Sequence, residues 1–124
     1  MSDAWPTELR VSKDRRTLSV TFSDGAAFAV PAEMMRVLSP SAEVQGHGPG
    51  QKVTVPGKRD VGISTITPAG NYAVRIRFDD GHDSGIFTWP YLRELGEKGA
   101  ALFADYEGEL AEKGLSRDPV QRSH

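Results

Sequence analysis

Between positions 72 and 78, Tyr72, Val74, Ile76 and Phe78 alternate with Ala73, Arg75 and Arg77, and Asp79-Asp80-Gly81-His82 follows at once. A period of two with one charged face is the pattern of a half-buried strand, and Asp-Gly is a dipeptide that turns a strand back on itself. Ile86-Phe87 begins the return, and Thr88 can cap a helix running through Trp89, Tyr91, Leu92 and Leu95. Residues 70–93 therefore read as strand, tight turn, strand and helix.

A similar order occurs earlier. Leu9 and Val11 alternate with polar residues from Thr7 to Ser12. Leu18, Val20 and Phe22 do so from Thr17, and Ser23-Asp24-Gly25 turns the chain into Ala27-Phe28-Ala29-Val30. Pro31 suits a first helical turn, and a short helix over 32–38 ends at Ser39-Pro40. Phe22-Ser23-Asp24-Gly25, Phe28, Pro31 and Met35-Arg36-Val37-Leu38 parallel Phe78-Asp79-Asp80-Gly81, Phe87, Pro90 and Leu92-Arg93-Glu94-Leu95. A duplicated unit and shared hairpin chemistry both account for the likeness. Either way, two hairpin-then-helix units predict a layered α+β domain of small, mostly antiparallel sheets.

The stretch 39–60 is rich in Gly, Pro and polar residues around a brief apolar Val53-Thr54-Val55, and reads as a loop with one short strand. A further strand is expected from Ile63 to Thr67, stopped by Pro68. Beyond Thr88, one helix is expected to close at Lys98-Gly99. Another should run from Ala100 to Lys113 with Leu102, Phe103, Tyr106 and Leu110 at helical spacing, weakened at Gly108. That makes about three helices. Residues 1–6 read as a disordered lead-in, 7–114 as a single domain, and 115–124 as a flexible tail.

At 124 residues the chain has room for one core. A charged content of 26% and mean hydropathy of -0.42 place it with ordinary globular proteins. The net charge of -2 gives no global attraction to nucleic acid or anionic lipid. No window approaches a membrane span and the first residues lack a leader pattern, so the expected location is cytoplasmic. With no cysteine, the chain can build no thiolate nucleophile and no thiolate metal site.

Asp79, Asp80, His82 and Asp83 are the residue types for metal binding or acid–base work, provided that His82 and two carboxylates converge. The structural alternative is that Asp80-Gly81 makes the turn while His82 and Asp83 are solvated or hydrogen-bonded to it. Arg75 and Arg77, with Lys58, Arg59 and Arg36 near in chain order, form either a solvated sheet face or a basic stripe for an acidic partner or RNA. Tyr72, Phe78, Phe87, Trp89 and Tyr91 are expected in the core and at the helix dock, with a ligand pocket as the other reading. The glycines at 46, 48 and 50 are not followed by a helix or by Gly-Lys-Ser/Thr, which argues against a nucleotide loop.

With Gly70-Asn71-Tyr72-Ala73, Phe78-x-Asp80-Gly81-His82-x-x-Gly85-Ile86-Phe87-x-Trp89, Leu92-Arg93, Leu18 to Gly25, Met35-Arg36 and Ser39-Pro40-Ser41-Ala42-Glu43, the chain resembles the gamma-butyrobetaine-hydroxylase-like N-terminal domain family, also called domain of unknown function 971. The resemblance covers residues 7–114. It implies a compact α+β fold that occurs alone in bacteria, fused to iron–sulfur carrier ATPases, and ahead of the catalytic domain of carnitine-pathway dioxygenases. In the dioxygenases the domain resembles a zinc module with three cysteines and one histidine. Those positions fall here on Ser39, Ser41, Val44 and His82, so three ligands are missing and the zinc site is degenerate.

The resemblance therefore implies no catalytic residue, cofactor or metal, since the oxygenase chemistry belongs to another domain. The expected function is a non-catalytic binding or adaptor domain that supports iron–sulfur protein maturation through a protein partner, such as a carrier ATPase or an iron–sulfur protein. Its candidate interaction surface is Asp80, His82, Asp83, Arg75, Arg77 and Trp89. The alternatives are a small-ligand or metal-dependent enzyme using Asp80, His82 and Asp83, and an RNA-binding module using Arg75, Arg77, Lys58 and Arg59.

Overall fold

The alternating segments of the first thirty-one residues become three antiparallel strands, β1 (Pro6–Val11), β2 (Thr17–Phe22) and β3 (Ala27–Pro31). The structure, a computed structural model, describes residues 4–40, 54–83 and 85–119. A second three-stranded sheet contains β4 (Ile63–Ala69), β5 (Ala73–Phe78) and β6 (Gly85–Thr88). Each sheet feeds a helix: α1 (Ala32–Val37) after β3 and α2 (Trp89–Glu112) after β6. The α+β class and the two hairpin-then-helix units follow the sequence pattern.

The two sheets share detailed geometry. In both, the register slips near the start of the first strand, opposite the phenylalanine that ends the second: between Pro6 and Glu8 against Phe22, and between Ile63 and Thr65 against Phe78. Gly25 and Gly81 stand at φ 90 and φ 91, a left-handed backbone that only glycine adopts without strain. Gly25 N–H donates to the Phe22 carbonyl and Gly81 N–H to that of Phe78. Asp24 Oδ1 accepts from Ala26 N–H at 3.2 Å, and Asp80 Oδ1 from His82 N–H at 3.0 Å.

The inward residues of both sheets form one cluster with the helices. Leu18, Val20 and Phe22 share it with Ile76, Phe78 and Phe87, and Met35 and Val37 of α1 and Leu92, Leu95, Tyr106 and Leu110 of α2 complete it. All six residues of α1 are buried. Its first backbone donor, Ala32 N–H, reaches the Arg16 carbonyl, and no side chain caps the helix start. Thr88 does cap α2, its Oγ1 accepting from Tyr91 N–H at 3.3 Å.

Several expectations are corrected. There are two helices among the described residues, because α2 runs unbroken through Lys98-Gly99 for 24 residues. The glycines there mark close approach: a Cβ at Gly99 would meet Met34 Sδ at 2.9 Å, and one at Gly96 would strike the Phe28 ring. β4 continues past Pro68, which pairs with Val74 on an edge strand where a missing N–H is tolerated. Tyr72 lies before β5 and is 56% exposed, outside the core. Pro31 ends β3 instead of opening α1. Thr54 and Val55 belong to no strand; Val53, like Ser41 and Val44, lies outside the described residues.

The segment after α2 is stitched back onto the domain. Gly57 N–H donates to Ser116 O and Arg59 N–H to Arg117 O. Arg117 forks onto Glu33 of α1 with contacts of 2.7 and 2.6 Å, and its guanidinium lies 5.0 Å from the Phe103 ring centroid. Residues 115–119, assigned to the tail by composition, thus neutralise a buried carboxylate of the first unit.

Candidate functional site

The β5–β6 turn places its titratable residues by the hairpin geometry itself. With Phe78 N–H donating to the His82 carbonyl, the turn closes and carries the His82 side chain inward. His82 is 6% exposed, so the solvated reading of this residue is wrong, while its backbone bond to Asp80 is the turn contact expected. Its ring lies 6.1 Å from that of Phe78, and Nε2 is 3.1 Å from the hydroxyl of Ser39, which is fully buried just past α1. Gly85 makes room for this pair, since a Cβ there would collide with Ser39 Oγ.

Asp80 faces a different set. Its Oδ2 accepts from Arg36 Nε at 2.7 Å and lies 2.6 Å from Lys58 Nζ, with 18% of its side chain exposed. Burial works to raise its carboxyl pKa, but hydrogen bonds from Lys58, His82 N–H and Arg36 outweigh it and hold the group at about 2 instead of 3.8. Asp80 is therefore a fixed anion between two cations, a poor proton acceptor and a tether for α1.

The other candidate residues disperse. Asp83 is exposed beyond the turn. Arg75 and Arg77 point outward from β5, opposite Thr67 and Thr65. Trp89 lies at the far end of that sheet, where its indole Nε1 donates to Asn71 O at 3.1 Å. Lys58 is committed to Asp80, and Arg59 to Asp118, so the four-residue basic stripe reduces to Arg75 and Arg77. Among the described residues no group of three or more His, Asp or Glu side chains is placed to hold a metal ion.

Sequence reasoning missed the ion pairs that join the units. Asp24 of the first turn pairs with Arg93 of α2, 3.0 Å apart, while Asp80 of the second turn pairs with Arg36 of α1. The parallel spacing of Asp24 with Arg36 and of Asp80 with Arg93 was the available signal; that the partners cross over was not visible in it.

The gamma-butyrobetaine hydroxylase-like N-terminal family matches the chain over residues 9–93, which spans both turns, α1 and the start of α2. The chain belongs to this family. The family domain is also similar to two proteins with NMR solution structures. One is 47% identical, with a TM-score of 0.81, covering 96% of this chain and 94% of that one. The other is 40% identical, also at 0.81, covering 100% and 96%. A crystal structure of a protein of unknown function from Acidithiobacillus ferrooxidans, in the domain-of-unknown-function 971 family, is 37% identical with a TM-score of 0.61, covering 73% of this chain and 91% of that one. No curated protein matches the chain.

Ser39 and His82, two of the four positions that the family resemblance sets against zinc ligands, meet here as a hydroxyl–imidazole pair. The donor set does not fit zinc: the remaining positions are Ser41 and Val44, and the chain has no thiolate.

Proposed function

We propose that this family domain is a non-catalytic adaptor of the cytoplasm that serves iron–sulfur protein maturation by binding a protein partner, with a carrier ATPase or an iron–sulfur protein as the partner class. The observation that carries the non-catalytic part is the commitment of Asp80 and His82 to the fold. Asp80 is held as an anion by Arg36 and Lys58, and His82 is buried against Ser39, so the imidazole is not presented to a substrate and the carboxylate is a poor proton acceptor. The partner class rests on the family resemblance, in which the same domain is fused to carrier ATPases.

The test is a direct binding measurement between the purified full chain and a purified iron–sulfur carrier ATPase from the same cell, in apo and cluster-loaded forms. Saturable association at micromolar concentration is expected. Absence of association with either form up to about 1 mM, a contact weaker than about -4 kcal/mol, rejects this partner class. The competing metal-dependent reading is checked by titrating zinc, iron and manganese while following the His82 ring by NMR. The adaptor reading expects no specific shift of His82; saturable binding tighter than millimolar would replace it.

A further inference from the structure

β1 and β4 are the outer strands of their sheets, on the edges opposite β3 and β6, against which α2 packs. A groove of about 440 Å³ lies between β1 and β4, with buried Ile63 and Val74 at its floor and half-buried Leu9, Val11 and Ile66 as its walls. Its volume is in the range of small-molecule sites. Neither wall favours an added strand. Pro68 has no N–H to offer, the Ser64 carbonyl already accepts from Arg15 at 2.9 Å, and both sheets slip register near the start of these strands.

Among the described residues the groove has one charged lining residue, Arg15, and no acidic one. Arg15 occupies the left-handed backbone region at φ 62, and its exposed guanidinium is placed beside Ser64. Among the described residues it makes no ion pair. An apolar trough with a single cation at its rim complements a ligand with an aliphatic chain and one negative end.

We propose that the groove between β1 and β4 binds an aliphatic carboxylate, the chain lying between Leu9, Val11 and Ile66 and the carboxylate meeting Arg15. The site is distinct from the Asp80–His82 turn and independent of the adaptor reading.

The experiment follows methyl and amide signals of the full chain by NMR while hexanoate, octanoate and decanoate are added below their micelle concentrations. The expected result is saturable shifts at the Leu9, Val11, Ile66 and Val74 signals, with affinity rising about fourfold per methylene. Octylamine, with the same chain and the opposite charge, should bind at least about tenfold more weakly than octanoate, as loss of a charge-assisted contact implies. Arg15→Gln should reduce octanoate affinity about tenfold, Arg15→Lys should retain most of it, and Leu9→Trp should block the groove. An affinity flat with chain length, equal binding of octylamine, or shifts spread over the whole chain would overturn the proposal. The chain-length and charge comparisons use the unaltered protein, so they decide the matter even if a variant fails to fold.

Discussion

The two hairpin-then-helix units are built on the same turn and put it to different uses. At the first turn, Asp24 meets Arg93 on an open surface, and the guanidinium also pairs with Glu97 and lies 5.1 and 5.5 Å from the ring centroids of Phe22 and Phe28. At the second, Asp80 meets Arg36, only 6% exposed, and Lys58, while the following residue but one, His82, enters the interior to reach Ser39. Each turn thus holds the helix of the other unit. Equal backbone geometry and unequal burial mean that the second turn organises the core, whereas the first clasps its rim. The correspondence runs from the register slip through the turn to the helix arginine, which extends the likeness well beyond hairpin chemistry.

The largest break in that comparison should come from removing the two aspartates. Asp80→Ala strips a nearly buried guanidinium of a carboxylate partner and should cost about 3 kcal/mol in denaturant unfolding. Asp24→Ala removes an exposed pair, screened by water and salt, and should cost far less. Equal losses would show that the turns are energetically equivalent and that burial is not what separates them.

The glycines test what the units share. Gly25 and Gly81 have almost the same φ, and a Cβ at either would meet nothing within 4 Å. Alanine at each should therefore cost only the left-handed backbone penalty, about 1–2 kcal/mol, and nearly the same at both sites. Unequal losses in thermal or denaturant unfolding would place a hidden difference in the turns themselves.

A smaller effect separates the units by pH. Folding depresses the Asp80 carboxyl to about 2 from 3.8, so its contribution is present above the unfolded value and disappears as pH falls through the folded one. Partial solvent access limits this to about 1 kcal/mol. Asp80→Asn should flatten the loss of stability between about pH 4 and pH 2. The Asp24 carboxyl is also lowered, first by its hydrogen bond to Arg93 and next by Ala26 N–H, but it lies at the surface, where water and salt screen the pair, so Asp24→Asn should leave the acid limb close to that of the unaltered chain. Matching acid limbs for Asp80→Asn and the parent would refute the assignment of this window to the second turn.

The strands and both turns were legible because alternation and Asp-Gly chemistry are local. Helix continuity was not: Lys98-Gly99 read as a stop until Met34, from the other unit, explains Gly99 as a contact point. The fate of Tyr72 was obscured for a similar reason, since its place in the alternating run gives no sign that β5 begins one residue later. At the site, the contact of Ser39 with His82 was not legible, because 43 residues separate the two and no local pattern joins them. The crossed pairing of Asp24 with Arg93 and Asp80 with Arg36 required knowing how the two units face each other, which no spacing within either unit records.

The smallest predicted effect concerns the helices, the feature in which the units differ most: six residues in α1 and 24 in α2. If α2 is long because its first half is anchored on the other unit, its glycines should divide by position. Gly108 is exposed, and an added Cβ meets nothing within 4 Å, so Gly108→Ala should stabilise by about 0.5–1 kcal/mol through helix propensity alone. At Gly99 the same gain is opposed by the Met34 thioether, which must move within a buried contact, so Gly99→Ala should fall below Gly108→Ala. Calorimetry of the two variants reads the difference directly. Equal stabilisation at both positions would mean that α1 yields easily to α2, and that the close approach at Gly99 is not what joins the two units.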